Sequence, residues 1–164
     1  MARKIEVIHP PNKVRSLVGG GGAKGGLDPA ALARAEAALE RVQEAIDFAS
    51  TSEPDMQALT EALAALAPGQ AAGEGAARRL YRITHDLRGQ GGNFGYPLVT
   101  RIGSSLCRFL EARATLGKAD IDILRAHVDA LRAILRNRLK GDGGKIGLQI
   151  AEELEVLVDD AINP

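Results

Sequence analysis

A chain of 164 residues can bury one sizeable core, and a composition rich in Ala, Leu, Arg and Glu with only 3% aromatic residues favours helices over a β-sandwich. Lys plus Arg (21) balance Asp plus Glu (21), so no global charge draws the chain to nucleic acid or to an anionic membrane surface, and any electrostatic function must be local. The single Cys107 excludes an internal disulfide, no run approaches the roughly 18 apolar residues of a membrane span, and the N-terminus lacks the apolar core of a secretory signal. The cytoplasm is the expected compartment.

Residues 1–27 read as an N-terminal arm and glycine-rich linker. Ile5 to Ile8 is a short β-prone run stopped by Pro10-Pro11, and six of the eight residues from Gly19 to Gly26 are glycine. Helical pattern fills 28–164. Asp28-Pro29 supplies an N-cap and a proline at the first helical position, and Leu32, Ala35, Leu39, Val42, Ile46 and Ala49 follow as one stripe expected to be buried. A second helix opens at Ser52, presents Met56, Leu59, Leu63 and Leu66, and stops at Pro68-Gly69. The third runs from about Ala76 to about Gly92. The fourth starts near Pro97 with Leu98, Ile102, Leu106, Phe109 and Leu110 inward, after a break at Gly95 and Pro97. The fifth spans about Ala119 to Lys140 and ends at Gly141; the sixth runs from about Lys145 to Ala161. Short connections favour antiparallel neighbours, so an all-α, antiparallel four-helix bundle with one or two additional helices is expected.

The stretch Tyr81 to Gly95 carries the chemistry. On a helix advancing about 100° per residue, Ala76, Ala77, Leu80, Ile83, Leu87 and Phe94 mark an apolar face, and His85 lies about 160° from both Ile83 and Leu87 on the solvent side. Arg82 and Arg88 sit one turn either side of it, Gly89 at the next turn, and Arg78 and Gly92 two turns away. Phosphorylating an imidazole adds roughly two negative charges, which a guanidinium one turn away can neutralise; Arg88 is the first candidate. Helical glycines cost about 0.8–1.0 kcal/mol each against alanine, yet Gly89, Gly91 and Gly92 cluster here. Bare backbone would admit a partner's active-site loop to His85, with Gln90 as a polar neighbour.

These residues resemble the histidine-containing phosphotransfer (HPt) domains of bacterial phosphorelays, whose signature is a histidine followed by Leu at +2, Lys or Arg at +3, and Gly at +4 and +10. His85, Leu87, Arg88, Gly89 and Gly95 match it, and Cys107, Leu110 and Glu111 resemble the motif of the next helix. The resemblance implies a monomeric four-helix bundle phosphorylated on His85 Nε2. It further implies stabilisation by Arg88, docking of response-regulator receiver domains over Gly89 and its surroundings, and no kinase activity of its own. A hybrid histidine kinase is a further partner of this kind; no cofactor is implied. Two departures stand out: Gln90 replaces a small residue, and about one extra helical turn separates Gly95 from Leu106-Cys107. That turn leaves Ser104, Cys107, Arg108 or Glu111 as the residue level with the imidazole.

Other readings compete. Thr84 to Arg88 also fits the phosphoacceptor helix of sensor kinases, which normally continues with Thr or Asn and then Pro instead of Gly89-Gln90; the chain has no room for an ATP-binding half. Asp86 could then serve as a general base. A helical adaptor that binds receivers without carrying phosphate is the non-catalytic alternative. His9, in the arm, and His127, on the flank of the fifth helix, lack partners at metal-ligand spacing and read as structural or solvated. The glycine tract around Lys24 lacks the order of a phosphate-binding loop.

Overall fold

A computed structural model describes residues 28–163. The arm and linker of residues 1–27, with His9 and Lys24, lie outside them. The chain divides into two compact units, one ending at Val42 and one beginning at Gln43.

Helix α1 (Pro29–Ala45) holds the described residues of the first unit and continues three residues past its boundary. It starts as the sequence suggests: Asp28 Oδ1 accepts the Ala30 N–H at 3.1 Å, and Pro29 has no N–H to satisfy. Its apolar stripe differs from expectation, because Leu32, Leu39 and Val42 are exposed, as is Ile46 beyond the helix end. The helical run also stops short of Ala49. Asp47 starts a new turn by accepting the Ser50 hydroxyl at 2.6 Å and, through its carbonyl, the Thr51 N–H, so Phe48–Thr51 forms a separate one-turn helix, α2.

In the second unit, α3 (Glu53–Ala64) begins with the acids Glu53 and Asp55, which suit the positive end of the helix dipole, and with Pro54 between them. Then come α4 (Gly75–Gly91), a 3₁₀ turn (Gly92–Phe94), α5 (Pro97–Glu111), α6 (Lys118–Arg136) and α7 (Gly144–Ile162). Helix α3 packs on α4, α4 on α5, α5 on α6 and α6 back on α3, while α7 lies against α5 and α6. Leu59, Leu80, Leu87, Ile102, Leu106, Phe109, Leu124, Val128 and Leu131 are buried in the shared core. Two short strands, β1 (Gln70–Ala71) and β2 (Thr115–Leu116), pair antiparallel with Gln70 opposite Leu116, tying the α3–α4 connection to the α5–α6 connection. Sequence periodicity could not expose so short a pair. No described helix is long and apolar enough to cross a membrane.

Two helix ends explain where the sequence reading held and where it failed. After the 3₁₀ turn, Gly95 takes a left-handed conformation (φ 79°), the Gly95 N–H reaches Gly92 O, and the Tyr96 N–H reaches Gly91 O at 2.7 Å. This is a Schellman closure, and it requires the positive φ that glycine supplies freely. Helix α6 closes the same way but at Arg138 (φ 52°), with Arg138 N–H to Leu135 O and Leu139 N–H to Ile134 O, so it ends at Arg136 and not at Lys140. The strained arginine is held by Asp47 at 2.6 Å. Nothing in the local sequence marks Arg138 as a left-handed position.

Candidate functional site

Helix α4 has the 3-4 spacing of an amphipathic helix, but its buried line runs through Ala77, Leu80, Thr84, Leu87 and Gly91. Ile83, expected inward, is only half-buried, and Thr84 is fully buried in its stead. The cause lies on α5: a Cβ at Gly103 would stand 2.8 Å from Arg88 Cβ and 3.5 Å from Thr84 Cγ2, so the two helices meet more closely there than any bulkier residue would allow. Thr84 Oγ1 has no hydrogen-bond partner among the described residues.

His85 stands on the open side of this helix, its side chain 51% exposed. Its Nδ1 is 3.5 Å from Asp86 Oδ1, and its ring centroid is 6.0 Å from that of Tyr81 at an angle of 31°. Arg82, Gly89, Gln90 and Gly92 are exposed on α4 and the turn after it. Arg88 is half-buried toward α5 and not on the fully open face that the helical wheel suggests. Its Cβ faces Gly103, and its carbonyl accepts the Thr100 hydroxyl at 2.8 Å, which places it on the α4–α5 seam. Among the described residues Arg78, Arg82 and Arg88 take part in no ion pair, whereas Arg79 pairs with Glu61 at 3.3 Å.

The clustered glycines separate into different roles. A Cβ on Gly89 would meet nothing within 4 Å, so that strip of backbone is bare to solvent. Gly92 would meet only Thr100 Oγ1, at 3.5 Å. Gly91, expected to help open the surface, is instead buried: a Cβ there would lie 2.9 Å from Val99 Cβ and 3.0 Å from Tyr96 O. Its lack of a side chain serves helix packing.

Contacts across the seam fix the antiparallel register of α4 on α5. Gly91 lies at Val99, Arg88 at Gly103, and the Tyr81 hydroxyl donates to Glu111 Oε1 at 2.6 Å. Glu111 is therefore one turn away from the imidazole and engaged by Tyr81. Continuing the register brings Cys107 level with His85. Cys107 is fully buried, and burial pushes its thiol up to about 11, so it carries no thiolate at neutral pH. Ser104 donates to Thr100 O at 2.7 Å, and Arg108 pairs with Asp159 at 2.6 Å.

His127 differs from the expectation of a flanking residue. It is fully buried, with Nδ1 2.8 Å from Ile123 O and Nε2 3.1 Å from Ser105 Oγ. Because a carbonyl only accepts, Nδ1 carries the hydrogen and Nε2 accepts from Ser105. Burial lowers its pKa, against a smaller opposing effect of the Ile123 bond. Among the described residues no three His, Cys, Asp or Glu side chains converge to hold a metal ion. No family model, curated protein or solved structure matches the chain.

Proposed function

We propose that the protein is a histidine phosphotransfer protein, an HPt-like four-helix bundle built from α3 to α6 with α7 added. His85 accepts a phosphoryl group from the aspartyl phosphate of a receiver domain, or from a hybrid kinase, and relays it to another receiver in the cytoplasm. The observation that carries this reading is an exposed imidazole in mid-helix, with Nδ1 turned to a carboxylate and, one turn on, the guanidinium of Arg88, which pairs with no carboxylate among the described residues.

The chemistry follows from those groups. With Nδ1–H directed at Asp86, the Nε2 lone pair is the nucleophile; it attacks phosphorus while the bond from phosphorus to the aspartyl oxygen breaks and the carboxylate leaves. The ring becomes a phosphoimidazolium that keeps its Nδ1 proton, and the Asp86 carboxylate offsets the new positive charge. Arg88 balances the phosphoryl oxygens. Arg82, Gly89, Gln90 and Gly92 form the docking strip, where the missing side chain at Gly89 permits close approach.

Asp86 beside the imidazole also suits a sensor-kinase-like phosphoacceptor. Those domains complete their bundle by dimerising, however, whereas the cycle of packing from α3 to α6 closes within one chain, which favours a monomeric carrier. The test is incubation with a phosphorylated receiver domain. An acid-labile, base-stable label is expected on the wild-type protein and none on His85→Gln. A label that persists in His85→Gln moves the acceptor elsewhere, and no label from any receiver leaves a helical adaptor.

A further inference from the structure

We propose that Tyr81, clamped by Glu111, is a positioning residue that holds the His85 imidazole with Nε2 toward water; the catalytic value of this rests on the phosphocarrier reading above. Side chains on a helix lean toward its N-terminus, so the imidazole at position 85 lies over the turn that begins at Tyr81. Tyr81 is half-buried, its ring packed against the edge of the core. Here its ring is fixed at both ends, by its own Cβ on α4 and by the 2.6 Å hydrogen bond from its hydroxyl to Glu111 on α5.

The phenol thus spans the helix seam and bounds the imidazole on one side, at 6.0 Å between ring centroids, while Asp86 Oδ1 approaches Nδ1 at 3.5 Å. Nε2 has no partner among the described residues and remains the nitrogen open to a reacting phosphorus. Glu111 acts through Tyr81 and not on the imidazole itself. This explains how an acid one turn out of register can still orient the histidine.

Nuclear magnetic resonance of ring-labelled histidine separates this inference from the phosphocarrier reading, because it needs no phosphoryl group. His85→Gln assigns the signals. In the wild type the His85 ring protons are expected upfield, shifted by the tyrosine ring, with one tautomer dominant. Tyr81→Leu should return them toward free-histidine values and slow labelling by a phosphorylated receiver about tenfold, as for a small misplacement of a reacting group, at a temperature where unfolding shows the variant still folded. Tyr81→Phe and Glu111→Ala, which release the clamp but keep a ring, should behave alike and fall between. Glu111→Gln keeps an oxygen acceptor and should restore wild-type signals. Unmoved His85 signals in Tyr81→Leu, or wild-type signals and labelling in Glu111→Ala, overturn the proposal. Failure of the wild type to take label removes the phosphocarrier reading instead, and the resonance shifts still decide the positioning.

Discussion

His85 and His127 are the same side chain in opposite circumstances. Both sit in the middle of helices, but His127 has each ring nitrogen bonded inside the core and His85 has one nitrogen beside a carboxylate and the other without a partner among the described residues. A buried imidazole whose two nitrogens are both spoken for is a packing unit with polar fittings. An exposed one with a single nitrogen restrained is, on the phosphocarrier reading, a nucleophile with a direction. The difference lies in what the neighbouring helix offers: Ser105 on α5 reaches inward to His127, whereas Gly103, two residues earlier on α5, lets α4 settle close and leaves His85 outside.

The contrast can be broken most decisively at position 127. His127→Ala leaves a cavity and an unpartnered Ser105 hydroxyl, and should cost about 2–4 kcal/mol in urea unfolding while the remaining folded protein still labels on His85. Label lost in step with stability would mean that the two histidines are not independent. A second test uses acid. Because the folded pKa of His127 lies below the ordinary 6.5, the unfolded chain takes up a proton first as pH falls through that value. Its contribution to stability therefore declines below that pH until the folded ring also titrates. The urea midpoint should drop between about pH 7.5 and about pH 5.5, and His127→Gln should lessen that drop; an equal drop in both proteins would assign it to other groups.

The glycines of α4 sharpen the same inside-outside contrast on a smaller scale. Gly91→Ala forces a methyl against Val99 and the Tyr96 carbonyl and should destabilise by about 1–3 kcal/mol. Gly89→Ala meets nothing and should stabilise by about 0.5–1 kcal/mol through helix propensity, yet slow label uptake if a partner needs that bare strip. Equal unfolding midpoints for the two variants would show that the close packing at Gly91 relaxes at no cost.

The helices of the second unit were legible because their apolar residues keep a regular spacing and their ends carry proline, glycine and acids. Exposure of His85 was legible for the same reason. The burial of Thr84 was not, since it arises from the closeness of α5 at Gly103, a tertiary fact. Gly89 and Gly91 look alike in sequence and differ only in what faces them. Arg138 occupies a position that favours glycine, held there by Asp47 from a distant part of the chain. Likewise the 3-4 spacing of α1 is genuine, but spacing alone does not ensure burial, and Leu32, Leu39 and Val42 are exposed.

A Cβ on Gly143 would stand 2.5 Å from Leu98 Cδ1, and one on Gly147 would stand 2.7 Å from the same atom, so the first turn of α7 is moulded onto α5. Further along, Arg101 grips Glu155 through two hydrogen bonds of 2.7 and 2.6 Å, and Arg108 grips Asp159. A protein landing on the His85 side consequently presses on a braced beam instead of a lone rod, and close-packed interiors yield little to such a load. If the phosphocarrier reading holds, the give needed to bring two reacting groups together comes from the visitor's loop.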